Sequence, residues 1–275
     1  NMNKLDAYKM DGLGNDFIIF DNREKSYSLS KQQIIKIANR NNIGCDQVIF
    51  IKNDKVNDAN LIFYNSNGSE SGACGNGARC IAYMLMKEKN IKKISFNTKG
   101  GILKAEIKND LVSLNIGEPN FNWKTIPLSN NINHKNLKIK IANKIGKEIE
   151  GGFSLSVGNP HIVFFVNNLN DYDIKKIGPQ IENHHYFPEK CNVTLAKIIN
   201  NNHIKVKVWE RGAGLTKACG TAACATAFAG KLNNLTNNKT DIEFENGRLT
   251  ISIDEKNSIH MKGPVSDIKE IKIKL

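Results

Sequence analysis

Two separate short patterns recur in this chain at nearly one spacing, and that repetition restricts its fold more than any other feature. Gly14-Asn15-Asp16-Phe17-Ile18-Ile19-Phe20 returns as Gly158-Asn159-Pro160-His161-Ile162-Val163-Phe164, each a Gly-Asn turn feeding an apolar strand. Ala73-Cys74-Gly75, followed by Asn76, Ala78 and Cys80, returns as Ala218-Cys219-Gly220, followed by Thr221, Ala223 and Cys224. The step is 144 residues from Gly14 to Gly158 and 145 from Cys74 to Cys219. The same spacing pairs Gln47 with Asn192 and Asn65 with Glu210, each beside a strand. Repetition at a fixed period speaks of architecture before chemistry. The 275 residues are expected to be two copies of one domain, whose equivalent polar strand and helix ends converge on one cleft if the copies face each other across a pseudo-twofold axis.

Hydrophobic periodicity fills in each copy. Alternation and short apolar runs predict strands at residues 5–10, 17–20, 48–51, 61–64, 94–98, 102–107 and 111–116, with a helix opening at Ser30 and another over 76–89. After a loop-like stretch at 119–133, strands are predicted at 137–141, 153–157, 161–166, 193–199 and 204–209, then a small-residue helix over 221–232 and strands at 242–244, 249–253 and 259–261. This is an α+β order in each half. The helices after Cys74 and Cys219 have almost no polar face: Ala78, Cys80, Ile81, Ala82, Met84, Leu85 and Met86 in one, residues 222–230 in the other. A helix apolar all round is buried on all sides. Each is therefore expected to be a central helix with a sheet wrapped around it like a barrel.

Charge and cysteine content exclude several classes. The balance of 39 Lys+Arg over 27 Asp+Glu gives a net +12, yet the lysines are spread along the chain with no basic run and no interleaved aromatics. Biased composition explains this better than a nucleic-acid footprint, and Lys135, Lys138, Lys140 and Lys144 read as the solvated face of one strand. Six cysteines in a chain this long do not make the disulfide framework of a short secreted protein. Residues 1–12 hold no apolar signal core, and no apolar stretch reaches the roughly 18 residues of a membrane span. A cytoplasmic protein with reduced thiols is the expectation. The spacings CxxxxxC and CxxxxC are not zinc pairs, so no metal is expected, and Cys45, Cys80, Cys191 and Cys224 read as small core residues.

Cys74 and Cys219 differ from these four. Each follows a strand and a polar loop and precedes a helix, so each sits at a helix N-terminus, where exposed N–H groups and the positive dipole end favour an anion. Such placement can lower a thiol from about 8.5 towards a reactive range. The glycine after each cysteine permits close approach of a ligand, and the amides of Gly75, Asn76, Gly220 and Thr221 can cradle a carboxylate or phosphate. Two thiols on opposite sides of one substrate suit a stereoinversion, one removing a Cα proton as thiolate while the other delivers a proton to the opposite face. The helix ends would stabilise the carbanion through its carboxylate, without metal or pyridoxal cofactor.

At these residues the chain resembles the diaminopimelate epimerase family. The motifs are GLGNDF (12–17), GCDQ (44–47), NSNGSESGACGNGARC (65–80), GNPH (158–161), CNV (191–193) and WERGAGLTKACGT (209–221), and the two blocks containing the matched cysteines are the specific ones. The resemblance implies a cofactor-independent interconversion of LL- and meso-diaminopimelate, with Cys74 and Cys219 as the acid/base thiols. It implies that Asn15, Gln47, Asn65, Asn159 and Asn192 bind substrate, that Glu210 and Arg211 hold its distal end, that Gly75-Asn76 and Gly220-Thr221 hold the carboxylate at the reacting centre, and that His161 and Glu210 tune the thiols. The implied halves are residues 1–119, completed by 265–275, and residues 120–264, with a homodimer as the family's frequent state. Cys45 and Asn67 depart from the residues common in the family, but no catalytic group is missing.

Rival readings stay open at this level. A proline racemase type enzyme uses the same two-thiol logic on a cyclic amino acid. Thiol-disulfide exchange is disfavoured by the lack of CxxC, and a binding-only role leaves two retained thiols unexplained. Arg211 beside Glu210 could be a surface ion pair, and a buried His161 could be a satisfied core residue.

Overall fold

The computed structural model describes residues 4–72 and 74–275. Residues 1–3 of the opening stretch and Ala73 of the first Ala-Cys-Gly pattern lie outside them. The chain divides into two compact units, one comprising residues up to Asn115 together with Lys262–Leu275, the other Ile116–Met261.

The elements follow in order. The first unit opens with β1 (Lys4–Gly12), β2 (Asn15–Asp21), α1 (Lys31–Ala38), β3 (Gln47–Lys52), β4 (Ala59–Asn65) and β5 (Glu70–Ser71). Helix α2 (Gly75–Lys89) comes next, then β6 (Lys93–Thr98), β7 (Gly101–Lys108) and β8 (Leu111–Gly117). The second unit contains β9 (Ile139–Ala142), β10 (Glu148–Gly151), β11 (Phe153–Ser156), β12 (Pro160–Phe165), a short 3-10 turn (Leu169–Asp171), α3 (Ile174–Glu182), β13 (Asn192–Asn200), β14 (His203–Glu210) and β15 (Gly214–Thr216). It continues with α4 (Gly220–Leu232), β16 (Lys239–Phe244), β17 (Gly247–Ile253) and β18 (Ile259–Gly263), before β19 (Lys269–Lys274) ends the chain.

Strand pairing repeats the sequence pattern. In the first unit β1–β2 is antiparallel, β2–β3 parallel, β3–β4 and β4–β5 antiparallel, β4–β6 parallel and β6–β7 antiparallel. The second unit has the same succession in β11–β12, β12–β13, β13–β14, β14–β15, β14–β16 and β16–β17. Parallel pairs need a crossover, and helices supply all four: α1 and α3 at the first parallel pair of each unit, α2 and α4 at the second. β19 pairs antiparallel with β1, placing Lys272 opposite Asp6. Lys272 and Lys25 both bond the Asp6 carboxylate and hold it down at about 2.

The two later helices are the buried ones. Every residue of α2 from Gly75 to Ala82 is buried, as is every residue of α4 from Gly220 to Gly230. α2 packs on β1, β2, β6 and β7, and α4 on β11, β12, β13, β16 and β17. Each unit is thus a sheet wrapped around a central helix. The strands alternate accordingly: in β7, Leu103, Ala105 and Ile107 face the core and Lys104, Glu106 and Lys108 face solvent. α2 stops at Asn90, in the left-handed conformation at φ 52°, with Lys87 and Lys89 in its last turn where the dipole favours cations. Among the described residues no helix is long and apolar enough to cross a membrane.

Two local readings need correction. The strand expected over 137–141 begins only at Ile139, because Lys138 takes a left-handed φ of 56°; Lys135 and Lys138 therefore precede the strand and Lys144 lies in the turn after it, which leaves Lys140 alone of the four on β9. Helix α3 is an element the sequence analysis did not predict. Pro179 falls inside the helix all the same, and Ile174, Ile177 and Ile181 form its buried stripe. Gly178 is required there, as a Cβ would lie 2.5 Å from the Trp209 ring.

Ser30 caps α1 as expected, accepting from the Gln33 N–H at 3.2 Å while the Gln33 side chain accepts from the Ser30 N–H at 2.9 Å. Replacing Ser30 by Ala is expected to lower stability by about 1 kcal/mol without altering the fold, measured by urea unfolding with circular dichroism.

Candidate active site

The first unit gathers its matched polar residues at one end of its sheet. Asn15 begins β2, Gln47 begins the parallel β3, Asn65 ends the antiparallel β4, and Cys74 precedes α2. Antiparallel and parallel pairing together bring these positions to the same sheet end. Cys74 is the N-cap of α2, and its Sγ accepts the Gly77 N–H at 3.3 Å. Gly77 leaves room for this: a Cβ would meet Ile49 Cδ1 at 2.8 Å and the sulfur at 3.2 Å. Gly75 and Asn76 form the start of the helix, where N–H groups have no intrahelical acceptor. Gln47 and Asn65 are cross-strand partners. Gln47 Nε2 donates to Asn65 Oδ1 at 2.9 Å, leaving Gln47 Oε1 buried with no partner among the described residues.

The second unit repeats this placement. Asn159 precedes β12, Asn192 begins the parallel β13, Glu210 ends the antiparallel β14, and Cys219 is the N-cap of α4. Cys219 Sγ lies 3.6 Å from Thr221 Oγ1. That hydroxyl also accepts from Asn159 Nδ2 at 3.2 Å and lies 3.0 Å from His161 Nε2, which sits 2.8 Å from Asn159 Oδ1. The amide oxygen requires Nε2 to carry the proton. His161 is fully buried, and its Nδ1 has no hydrogen-bond partner among the described residues. An imidazolium would need acceptors at both nitrogens. Burial, and then the charge of Arg211, lower this imidazole from 6.5 to about 3. His161 is thus neutral, within hydrogen-bond distance of the Thr221 hydroxyl rather than in a purely apolar setting.

Arg211 and Glu210 are not a simple surface pair. The Arg211 N–H donates to Asn192 Oδ1 at 2.8 Å while Asn192 Nδ2 donates to the Pro160 carbonyl at 3.1 Å. Arg211 Nη1 donates to the Glu189 carbonyl at 3.2 Å, and burial lowers the guanidinium pKa. Glu182, at the end of α3, was missed in the sequence. Its buried carboxylate accepts from Trp209 Nε1 at 2.8 Å and from the Gly212 N–H at 2.9 Å. These contacts flank Glu210 and Arg211, so Glu182 braces the turn that presents them.

Asp46 and Arg79 were also missed. Asp46, between Cys45 and Gln47, accepts from Asn15 Nδ2 at 2.6 Å. Arg79, fully buried, donates Nη2 to Asn76 Oδ1 at 2.7 Å. The signal for Arg79 was present: a charge in a helix otherwise expected to be apolar all round. The remaining cysteines are core thiols. Burial pushes Cys45 and Cys80 up to about 12 and raises Cys191 as well. Among the described residues no group of three or more His, Cys, Asp or Glu could hold a metal ion.

Fold and site together define a duplicated enzyme scaffold with one cysteine-capped central helix per half. The scaffold is shared with a Bacillus anthracis protein of the PhzF family, at TM-score 0.69 and 16% identity over 100% of both chains. It is shared too with a hydroxyproline epimerase from Agrobacterium vitis, at TM-score 0.68 and 11% identity over 99% of this chain and 93% of the other. The family model for diaminopimelate epimerase matches residues 7–122 and 153–268. Relatives include diaminopimelate epimerases from Pelagibacter ubique, 61% identical over 98% of this chain and 99% of the other, and Caulobacter vibrioides, 39% identical over 94% and 93%. The chain belongs to the diaminopimelate epimerase family.

Two outcomes follow from the second unit. Below pH 6.5 an unfolded chain protonates its histidine while folded His161 resists until about pH 3, so acidification through this window favours unfolding. The slope is up to about 1.4 kcal/mol per pH unit. His161→Gln should flatten the acid limb of stability against pH by that amount, measured by urea unfolding at a series of pH values. Glu182→Gln leaves one acceptor for two N–H donors, and is expected to cost about 1–3 kcal/mol in the same assay and to raise KM through the loosened Glu210–Arg211 turn.

Proposed function

We propose that this chain interconverts LL- and meso-2,6-diaminopimelate, in the pathway to lysine and peptidoglycan precursors, by a two-base mechanism needing no cofactor. The observation that carries this reading is the pair of cysteines capping equivalent buried helices in two copies of one fold, in a chain of this family. One of Cys74 and Cys219, as thiolate, takes the Cα proton; the other, as thiol, gives its proton to the opposite face. The carbanion between the two steps is stabilised through its carboxylate by the amides of Gly75-Asn76 and Gly220-Thr221 at the positive helix ends.

The thiols have different immediate partners. A sulfur accepting a backbone N–H at the positive end of a helix, as Cys74 does, is placed to carry negative charge. Cys219 instead adjoins a hydroxyl tied to neutral His161, which suits a sulfur holding its proton. Asn15, Gln47, Asn65, Asn159 and Asn192 bind the amino-acid groups of the substrate, Gln47 Oε1 being an acceptor ready for an ammonium. Arg211 takes the distal carboxylate with its fork of donors, and Glu210 the distal ammonium. His161 and Glu210 tune the thiols. The enzyme works in the cytoplasm as a homodimer.

In heavy water without added cofactor, diaminopimelate should gain solvent deuterium at one Cα as LL and meso forms equilibrate, read by mass spectrometry. Cys74→Ala and Cys219→Ala should each lower epimerisation by about 10²–10⁴-fold, and the pH–rate profile should be bell-shaped, reporting the pair and not either thiol alone. Full activity of Cys219→Ala would sink the mechanism. Turnover of proline with none of diaminopimelate would sink the substrate.

A further inference from the structure

The side chains behind Asn15 and Asn76 form a chain of hydrogen bonds with a single direction. Arg79 stands at one end, fully buried on the second turn of α2, and donates Nη2 to Asn76 Oδ1 at 2.7 Å and Nη1 to the Pro264 carbonyl at 2.8 Å. Asn76 Nδ2 then donates to Asn15 Oδ1 at 3.4 Å, and Asn15 Nδ2 donates to Asp46 Oδ2 at 2.6 Å. At the far end Asp46 Oδ2 also accepts the Asp16 N–H at 3.0 Å, and Asp46 Oδ1 accepts from Arg40 at 2.8 Å. Arg40 is anchored in turn by both oxygens of Asp16, at 2.7 and 2.8 Å.

The two ends are chemically unlike. A guanidinium only donates and an ionised carboxylate only accepts. Asn76 must therefore turn its oxygen to Arg79, and Asn15 its NH2 to Asp46. The middle link then has one donor and one acceptor and is satisfied in one sense only. Between two ambivalent ends, both amides could flip together with no bond lost. Asn76 is fully buried and Asn15 nearly so, so a wrong orientation would have no water to repair it.

We propose that Arg79 and Asp46 are positioning residues that fix the amide polarity of Asn15 and Asn76, and with it the donors these residues present to a substrate carboxylate. Each NH2 group spends one hydrogen within the chain and keeps the other. Arg79 also adds a positive charge one turn behind the Gly75 and Asn76 amides, on the side where the helix dipole is already positive. The proposal rests on the proposed function for which ligand is bound, but the orientation of the amides does not.

The test compares Arg79→Gln, which can both donate and accept, with Arg79→Lys, which can only donate. Both are assayed at about pH 8, because burial raises the Asp46 carboxyl above its ordinary value and a high pH favours its ionised form. Arg79→Gln should raise KM for diaminopimelate by about tenfold or more with a smaller change in kcat, and in substrate-free protein should shift the side-chain amide NMR signals of Asn15 and Asn76. Arg79→Lys should restore most of both. Asp46→Asn, which removes the direction at the other end, should reproduce the Arg79→Gln result and stands in for it if that variant does not fold. Unchanged amide signals in Arg79→Gln or Asp46→Asn would overturn the proposal, and so would an Arg79→Lys variant as impaired as Arg79→Gln at equal melting temperature. Shifted amide signals in a protein that does not turn over diaminopimelate would uphold the positioning role while refuting the proposed substrate.

Discussion

The structure depends on burying a whole helix at its N-terminal end. A helix start carries N–H groups without intrahelical acceptors, and burying them in each unit is tolerable only if something polar meets them. α2 and α4 are buried from their first residues, yet both begin at the sheet end where strands start or stop and side-chain amides collect. The need for acceptors and the opportunity to bind an anion arise from the same geometry. Small residues let the strands close around each helix: Gly230 of α4 sits where a Cβ would lie 3.3 Å from Ile204 Cδ1 of β14. The apolar surface that stabilises the barrel-like sheets and the polar cap proposed to bind ligand are two ends of one element.

Much of this was legible because the chemistry repeats. The Gly-Asn turns, the Ala-Cys-Gly pair and the apolar helices implied duplicated α+β halves, and the pairing succession is the same in both units. What stayed hidden was set by tertiary contacts that a linear pattern does not encode. Helix α3 forms across Gly178-Pro179 because Trp209 fills the space over Gly178 and because Ile174, Ile177 and Ile181 have a core to enter, so local turn chemistry loses to packing. Glu182 could not be read as a brace, since the residues it holds lie about 30 positions further on in the chain.

The polar residues behind the site were hidden for another reason. Single-sequence reading treats Asp46 as one letter of a GCDQ motif and Arg79 as an interruption in an apolar run. Their role depends on the direction of hydrogen bonds between groups that are each satisfied by the next. Such a network costs more than it returns if any member is missing, so a charge inside a buried helix asks what acceptor it serves.

The two copies have solved this differently. Asn15 and Asn76 correspond to Asn159 and Thr221, and the same link joins them: Asn76 Nδ2 to Asn15 Oδ1 at 3.4 Å in the first unit, Asn159 Nδ2 to Thr221 Oγ1 at 3.2 Å in the second. At a step of 145, Asp46 and Arg79 fall opposite Cys191 and Cys224, which sets Cys80 opposite Ala225 and not Cys224, and at a step of 144 Phe17 falls opposite His161. The first unit thus polarises its link with charges at the two ends. The second replaces both with core cysteines and exchanges an apolar ring for a neutral imidazole touching amide and hydroxyl alike. A charged pair fixes direction firmly but brings a field with it, whereas a neutral histidine satisfies the same groups without adding charge beside Cys219. The duplication therefore keeps the fold equivalent while making the surroundings of the two sulfurs unequal, as the proposed mechanism asks when one sulfur gives a proton and the other takes one.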